Sequence, residues 1–165
     1  MLGIVIIGAG QAGSSLAIKL RGLDYPGAIT LIGEEPYAPY QRPPLSKTYL
    51  LGEMALERLY LRPEELYRDQ NIELRLGTLV TAIDPVAGMI SLGAETVPYD
   101  QLALTTGSTP RQLPEAIGGR LKNVFSMRGL ADIDAMRPAF ERGGHVLIIG
   151  GGYIGLEAAA VAAKR

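Results

Sequence analysis

The stretch that decides the fold is residues 3–13, GIVIIGAGQAG. Ile4 to Ile7 form a short β-branched run without polar alternation and end on a glycine, which reads as a fully buried strand. From Gln11 to about Leu23, the positions of Ala12, Leu16, Ile18 and Leu20 suit a helix. After the turn signal DYPG, residues 28–33 (AITLIG) supply a second buried strand. The three segments make one β-α-β unit of about thirty residues. Gly8, Gly10 and Gly13 fit G-x-G-x-x-G between the strand and the helix. In that pattern the glycines serve a tight turn, close approach of the backbone to a pyrophosphate, and close helix-to-strand packing. Free N–H groups and the positive end of the helix dipole then face the phosphates. Glu34 stands 21 residues after Gly13, where an acid would accept hydrogen bonds from ribose hydroxyls. Glu35 offers the same group after a one-residue shift.

A second copy of the motif lies 142 residues further on, counting from Gly8 to Gly150. HVLIIG (145–150) reads as a buried strand, Gly150, Gly152 and Gly155 repeat the glycine spacing, and an alanine-rich helix follows from Tyr153. The acid expected about twenty residues beyond those glycines has no counterpart, because the sequence ends at Arg165. The second nucleotide site is therefore expected to be begun and unfinished.

Between the two motifs, residues 34–50 hold four prolines and predict a rigid extended excursion followed by a short helix. Pro63, Glu64 and Glu65 predict a helix start near Arg62, and the helix runs to about Gln70. IELRL (72–76) is a third strand. LVTAID, GMISL and ETVPYD predict three short antiparallel strands, with turns at Pro85–Gly88 and near Gly93. QLALTT (101–106) reads as a further buried strand, residues 107–123 as a loop or linker, and NVFSM (123–127) as another strand candidate. A helix is expected from Gly129 to about Phe140, bent or shortened by Pro138.

The chain has 165 residues, 47% of them apolar and 20% charged, which describes a globular protein with room for one ordinary domain. Sixteen basic and seventeen acidic side chains give a formal charge of −1, and no basic tract points to nucleic acid. Ile4–Ile7 is too short to span a membrane and has no positive segment before it, so a cytoplasmic protein without a membrane role is expected. The absence of cysteine excludes a disulfide framework and thiolate ligation, and no metal site is expected.

Two such motifs flanking YQRPPLSK (40–47) and TTGSTPRQLP (105–114) resemble the FAD-dependent pyridine nucleotide-disulfide reductase superfamily, most closely its ferredoxin reductase branch. The resemblance covers essentially the whole chain. It implies an α/β FAD/NAD(P)-binding, Rossmann-like three-layer fold, with a parallel sheet and an antiparallel three-stranded meander. It also implies an FAD-binding domain over 1–112, a connector over 113–144, and the start of an NAD(P)-binding domain over 145–165. In that family the first motif binds FAD and the second binds NAD(P)H, NADH being favoured here. Electrons pass to a small iron–sulfur protein, a [2Fe–2S] ferredoxin or a rubredoxin. The chain resembles a truncated part of such a reductase, which in isolation would leave an apolar sheet edge uncovered.

Carried over by position, the resemblance assigns Gly8, Gly10, Ala12 and Gly13 to the FAD pyrophosphate and Glu34 to its ribose. It assigns Val80 to the adenine through its backbone. Arg42 and Lys47 fall on the flavin side, Thr106 and Gly107 match the family's cofactor-binding ATG stretch, and Arg128 approaches the flavin or its ribityl chain, while Gly150, Gly152 and Gly155 serve the nicotinamide nucleotide. Thr105 departs from the alanine usual in the family, without evident consequence in the sequence. The resemblance further implies a Lys47–Glu157 ion pair beside the reacting flavin edge, where a cation would stabilise the charge that a hydride brings. Without the resemblance, Lys47 reads as a solvated lysine, Arg42 as a surface ion-pair partner, Arg111 or Arg128 as a helix-end cation, and His145 as a loop histidine. Disulfide reductases and their one-cysteine relatives need a thiolate that this chain lacks, and Ser46 is no redox substitute. Two alternatives remain open at this stage: a flavoprotein resembling apoptosis-inducing factor that acts by binding a partner, and an inactive FAD-binding fragment. The neutral composition and the absence of a targeting segment weigh against the first.

Overall fold

The computed structural model describes residues 3–165, which cluster into two compact units. The first contains the residues up to Gln41 together with Tyr60–Gly107; the second contains Arg42–Leu59 and Ser108–Arg165. The proline-rich excursion is thus split after Gln41, and its second half joins the C-terminal residues.

The first unit is built on β1 (Ile4–Ile7), α1 (Gln11–Arg21), β2 (Ile29–Ile32), α2 (Glu64–Asp69) and β3 (Ile72–Arg75), followed by β4 (Ala82–Asp84), β5 (Met89–Leu92), β6 (Glu95–Pro98) and β7 (Gln101–Leu104). The parallel sheet has the order β3-β2-β1-β7, and β4-β5-β6 form an antiparallel meander. Alternation along β1 separates two cores. Ile4 and Ile6 join Ala17, Ile29, Leu31, Tyr67 and Ile72 on the helix side, whereas Val5 and Ile7 join Ile32 and Ile90 on the meander side. Helices, parallel sheet and meander are therefore three layers, and β1 and β2 are apolar at nearly every position because both of their faces are covered. Full burial of each Ile or Leu contributes about 1.5–3 kcal/mol. A one-residue slip would exchange the two faces, so the pairing of Ile4 with Ile29 and with Gln101 is firmly fixed.

β7 corrects the expectation of a buried strand. Among the described residues it pairs only with β1, and Leu104 is 62% exposed. An edge strand with one paired side keeps its apolar sequence while losing half its cover. Pro63 sits at the cap of α2 rather than inside its first turn.

The second unit contains a π-helical turn at Leu45–Tyr49, α3 (Leu130–Arg142) and α4 (Tyr153–Lys164). Both helices pack on that turn, whose Leu45, Ser46 and Tyr49 are buried. Pro138 lies within α3 without ending it. The phenol of Tyr49 donates to Asp134 (2.9 Å), and the Arg137 guanidinium lies 4.5 Å over the Tyr49 ring. Two predicted strands do not form: residues 123–127 and 145–150 belong to no strand among the described residues. Their sequences carry β propensity, but a strand exists only through ladder partners, and neither segment has one. The exposure of Leu147 and Ile149 follows from the same lack.

Arg21, at the C-terminal end of α1, ties that helix end to two connecting turns. Its guanidinium donates to the carbonyls of Gln70 (2.8 Å), Tyr25 (2.7 Å), Gly27 (2.9 Å) and Asn71 (2.7 Å). Only the planar fork of arginine reaches four acceptors at once. Arg21→Lys is expected to lower the unfolding free energy by about 2 kcal/mol, the scale of a charge-assisted hydrogen bond, read as a lower urea midpoint at unchanged slope.

Candidate functional site

Among the described residues, four helices of more than five residues divide into two kinds by their N-termini. α2 carries Glu64 and Glu65 in its first turn. In α3, Asp132 accepts from the N–H groups of Arg128 (3.0 Å) and Gly129 (2.7 Å). α1 and α4 instead begin at Gly10 and Gly152, with no side-chain cap and no acid in the first turn. Their leading N–H groups and positive dipole ends thus face no capping side chain and no first-turn acid of their own.

The two glycine loops are near copies. Gly8 and Gly150 take φ of +111° and +116°, a conformation costly for any side chain. A Cβ on Gly13 would stand 2.1 Å from the carbonyl oxygen of Gly8, and one on Gly155 would stand 2.1 Å from that of Gly150. Contact that short is possible only for glycine, and it brings the helix start against the end of the preceding segment. A Cβ on Gly10 or Gly152 would meet no protein atom within 4 Å. Nothing in the protein's own packing demands glycine at those two positions, so the open space beside the helix end suits a ligand that must come close. Ala12 is exposed one residue before Gly13.

Around the first loop, Glu34 is exposed two residues after the end of β2 and makes no hydrogen bond or ion pair among the described residues. Glu35 accepts from the hydroxyl of Tyr40. This difference separates the two acids that the sequence left as alternatives: Glu34 has the available carboxylate. Val80 is half-buried against the meander-side core, and Thr106 and Gly107 are exposed beyond β7.

Sequence reasoning gave Thr105 no consequence, and the structure corrects this. The β1–β7 register sets Ile7 beside Leu104, so Thr105 follows Gly8 alongside. Its hydroxyl donates toward the carbonyls of Gly8 (2.8 Å) and Ile7 (3.1 Å). The carbonyl that crowds Gly13 is thereby held in place. A polar residue at the end of an otherwise apolar strand, level with the glycine loop, was the available signal.

In the second unit, Lys47 Nζ lies 2.7 Å from Oε1 of Glu157 and donates to the carbonyl of Pro43 (3.1 Å). Ser46 donates to Oε2 of the same carboxylate. Lys47, first, and then Ser46 hold the Glu157 carboxyl below its ordinary range. The cleft beside this pair, about 330 Å³, is lined by Thr48, Leu51 and Glu53 and by Ala160, Val161 and Lys164 of α4. Arg42 donates to the carbonyl of Arg128 (2.9 Å), so these two predicted residues also meet. Among the described residues no cluster of three or more histidines or acids could hold a metal ion, and no helix is long and apolar enough to cross a membrane.

Against models of known families, residues 2–165 match the pyridine nucleotide-disulphide oxidoreductase family. The chain belongs to that family. Among curated members it is 43% identical over 164 residues to putidaredoxin reductase CamA of Pseudomonas putida, covering 98% of this chain and 39% of that protein. It is 38% identical over 162 residues to rubredoxin-NAD(+) reductase of Pseudomonas putida, covering 98% and 42%. Among solved family structures, a covalent putidaredoxin reductase–putidaredoxin complex superposes with a TM-score of 0.91 at 42% identity, covering 99% of this chain and 40% of that one. The chain spans about two fifths of the length of these family members.

Gly13→Ala is expected to destabilise the first unit by about 1–3 kcal/mol through overpacking against Gly8, measured by denaturant unfolding. Thr105→Val, which keeps shape and removes the hydroxyl, should cost about 1 kcal/mol in the same measurement.

Proposed function

We propose that the chain forms the FAD-binding part, and the first elements of the NAD(P)H-binding part, of a reductase that passes electrons to a small iron–sulfur protein. The observation that carries this reading is the pair of uncapped, acid-free helix N-termini, each behind a glycine loop open at its middle glycine. One anion-binding helix end would serve one nucleotide; two of the same build serve two. The family and its ferredoxin and rubredoxin reductase members support the choice of FAD and of a nicotinamide nucleotide.

In this reading the loop Gly8–Gly13 holds the FAD pyrophosphate through the N-terminus of α1, and Ala12 adds a small exposed surface beside it. Glu34 accepts from the ribose hydroxyls, and Val80 presents backbone to the adenine. Arg42, Thr106, Gly107 and Arg128 bind toward the flavin. Gly150, Gly152 and Gly155 receive the pyrophosphate of NADH. Lys47 and Glu157 are the catalytic pair: Lys47 supplies the positive charge that offsets an incoming hydride, and Glu157 orients it. Bound FAD would accept two electrons as hydride and release them singly, which suits a [2Fe–2S] ferredoxin or a rubredoxin as acceptor. No cysteine is present to intercept them as a disulfide relay. The functional divisions are 1–112 for FAD, 113–144 as connector and 145–165 toward NAD(P)H, in a protein of the cytoplasm.

The purified chain titrated with FAD is expected to develop a perturbed visible flavin band. Gly10→Ala should fold as the parent does and lose at least tenfold in FAD affinity, because its methyl occupies the space left for the ligand. A chain that takes up no FAD, or an alanine variant that binds as well as the parent, would overturn the assignment of the first loop. In the FAD-loaded protein, Lys47→Ala is expected to slow flavin reduction by NADH about tenfold with FAD retained. That is less than the hundredfold or more typical of an enclosed donor, because Lys47 is half exposed.

A further inference from the structure

The carboxylate of Glu157 is divided between two consecutive residues. Ser46 donates to one oxygen, and Lys47 pairs with the other at 2.7 Å. Consecutive side chains on a regular helix diverge by about 100° and do not converge on one group. They converge here because Lys47 leaves the helical conformation, with φ −129° and ψ −111°, inside the π-helical turn. The two donors differ in their freedom. Ser46 is 5% exposed in a turn packed by both α3 and α4, with one short side-chain torsion. The Lys47 side chain is 47% exposed and has four torsions and a second acceptor at Pro43.

The geometry points to Ser46 as the fixed anchor of Glu157, a positioning residue that keeps the carboxylate seated while Lys47 provides a movable charge. An ion pair formed by Lys47 alone would lose the place of both partners whenever the lysine swung out. With the hydroxyl retained on Oε2, Glu157 stays in register on α4 and the ammonium returns to a prepared acceptor. The bond is charge-assisted, which favours the ionised carboxylate. This agrees with the depression of the Glu157 carboxyl, to which Ser46 contributes after Lys47. The other charges along the cleft are Glu53 and Lys164. By sign the first opposes ionisation of Glu157 and the second favours it, and neither belongs to the group formed by Ser46, Lys47, Pro43 and the carboxylate. The inference rests on the proposed role of the Lys47–Glu157 pair, but the anchor itself can be tested with no flavin present.

The test follows the side-chain carboxyl carbon of Glu157 by NMR during an acid titration of the parent, Ser46→Ala, Ser46→Thr and Lys47→Met. Circular dichroism checks that each is folded. The parent is expected to titrate below an ordinary glutamate. Ser46→Ala should move the titration upward, Ser46→Thr should restore it, and Lys47→Met should raise it further while leaving it short of the ordinary value, because Ser46 still donates. A Ser46→Ala titration that matches the parent, or a threonine variant no closer to the parent than alanine, overturns the anchor. In the FAD-loaded protein the acid limb of flavin reduction should move to higher pH in Ser46→Ala, since the ionised form of Glu157 is then lost earlier as pH falls. If the titration moves as expected but Lys47→Met leaves flavin reduction unchanged, the anchor stands and the catalytic reading of the pair fails.

Discussion

The close approach of Gly13 to the carbonyl of Gly8 is the contact on which the geometry of the first glycine loop depends. It lets α1 begin hard against the end of β1, so the helix N-terminus emerges at the carboxyl edge of the parallel sheet. The arrangement needs a positive φ at Gly8 and leaves no room for a side chain at Gly13. It is maintained from the other side by Thr105, whose hydroxyl restrains the crowded carbonyl. Sheet register matters for the same reason: Thr105 meets Gly8 because β7 pairs with β1 in parallel and in one register only.

The second unit solves a different problem, which is to hold a charged pair that is only partly removed from water. A half-exposed lysine–glutamate pair has little net worth as a stabilising contact, in the range of 0–1 kcal/mol. Its persistence therefore needs support from buried neighbours. The Leu45–Tyr49 turn supplies this, with Leu45 and Tyr49 buried and Tyr49 further fixed by Asp134 and Arg137. Stability resides in the apolar and aromatic contacts of the turn, and the polar geometry is carried on them.

How much of this was legible in the sequence depends on whether a signal is local. β1, α1, β2, the meander and both glycine loops were legible because period, turn residues and glycine spacing are properties of short windows. HVLIIG shows the limit. Its pattern matches that of β1, yet it forms no strand, since pattern reports preference and a ladder needs a neighbour. QLALTT likewise announced a strand but not that one edge would be open. The roles of Thr105, marked only as a polar residue ending an apolar strand, and of Ser46 were hard to read for another reason. Each is a small hydroxyl residue whose role exists only through a partner 97 or 111 positions away. Lys47 and Glu157 were reached only through family resemblance, not through any spacing between them.

The unpaired state of residues 145–150 also bears on the origin of the glycine loops. If the loop geometry were imposed by the sheet, the second loop should relax where the ladder is missing. It does not: φ at Gly150, the crowding of Gly155 against the Gly150 carbonyl, and the hydrogen bond from Leu156 N–H to the Gly152 carbonyl all match their counterparts in the first loop. The second loop thus has the geometry of the first without a paired strand before it. Sheet pairing then decides where the first loop is held, and Thr105 decides how firmly. The two loops thus share their local geometry and differ in what surrounds them: a paired sheet and the Thr105 hydroxyl beside the first, neither beside the second.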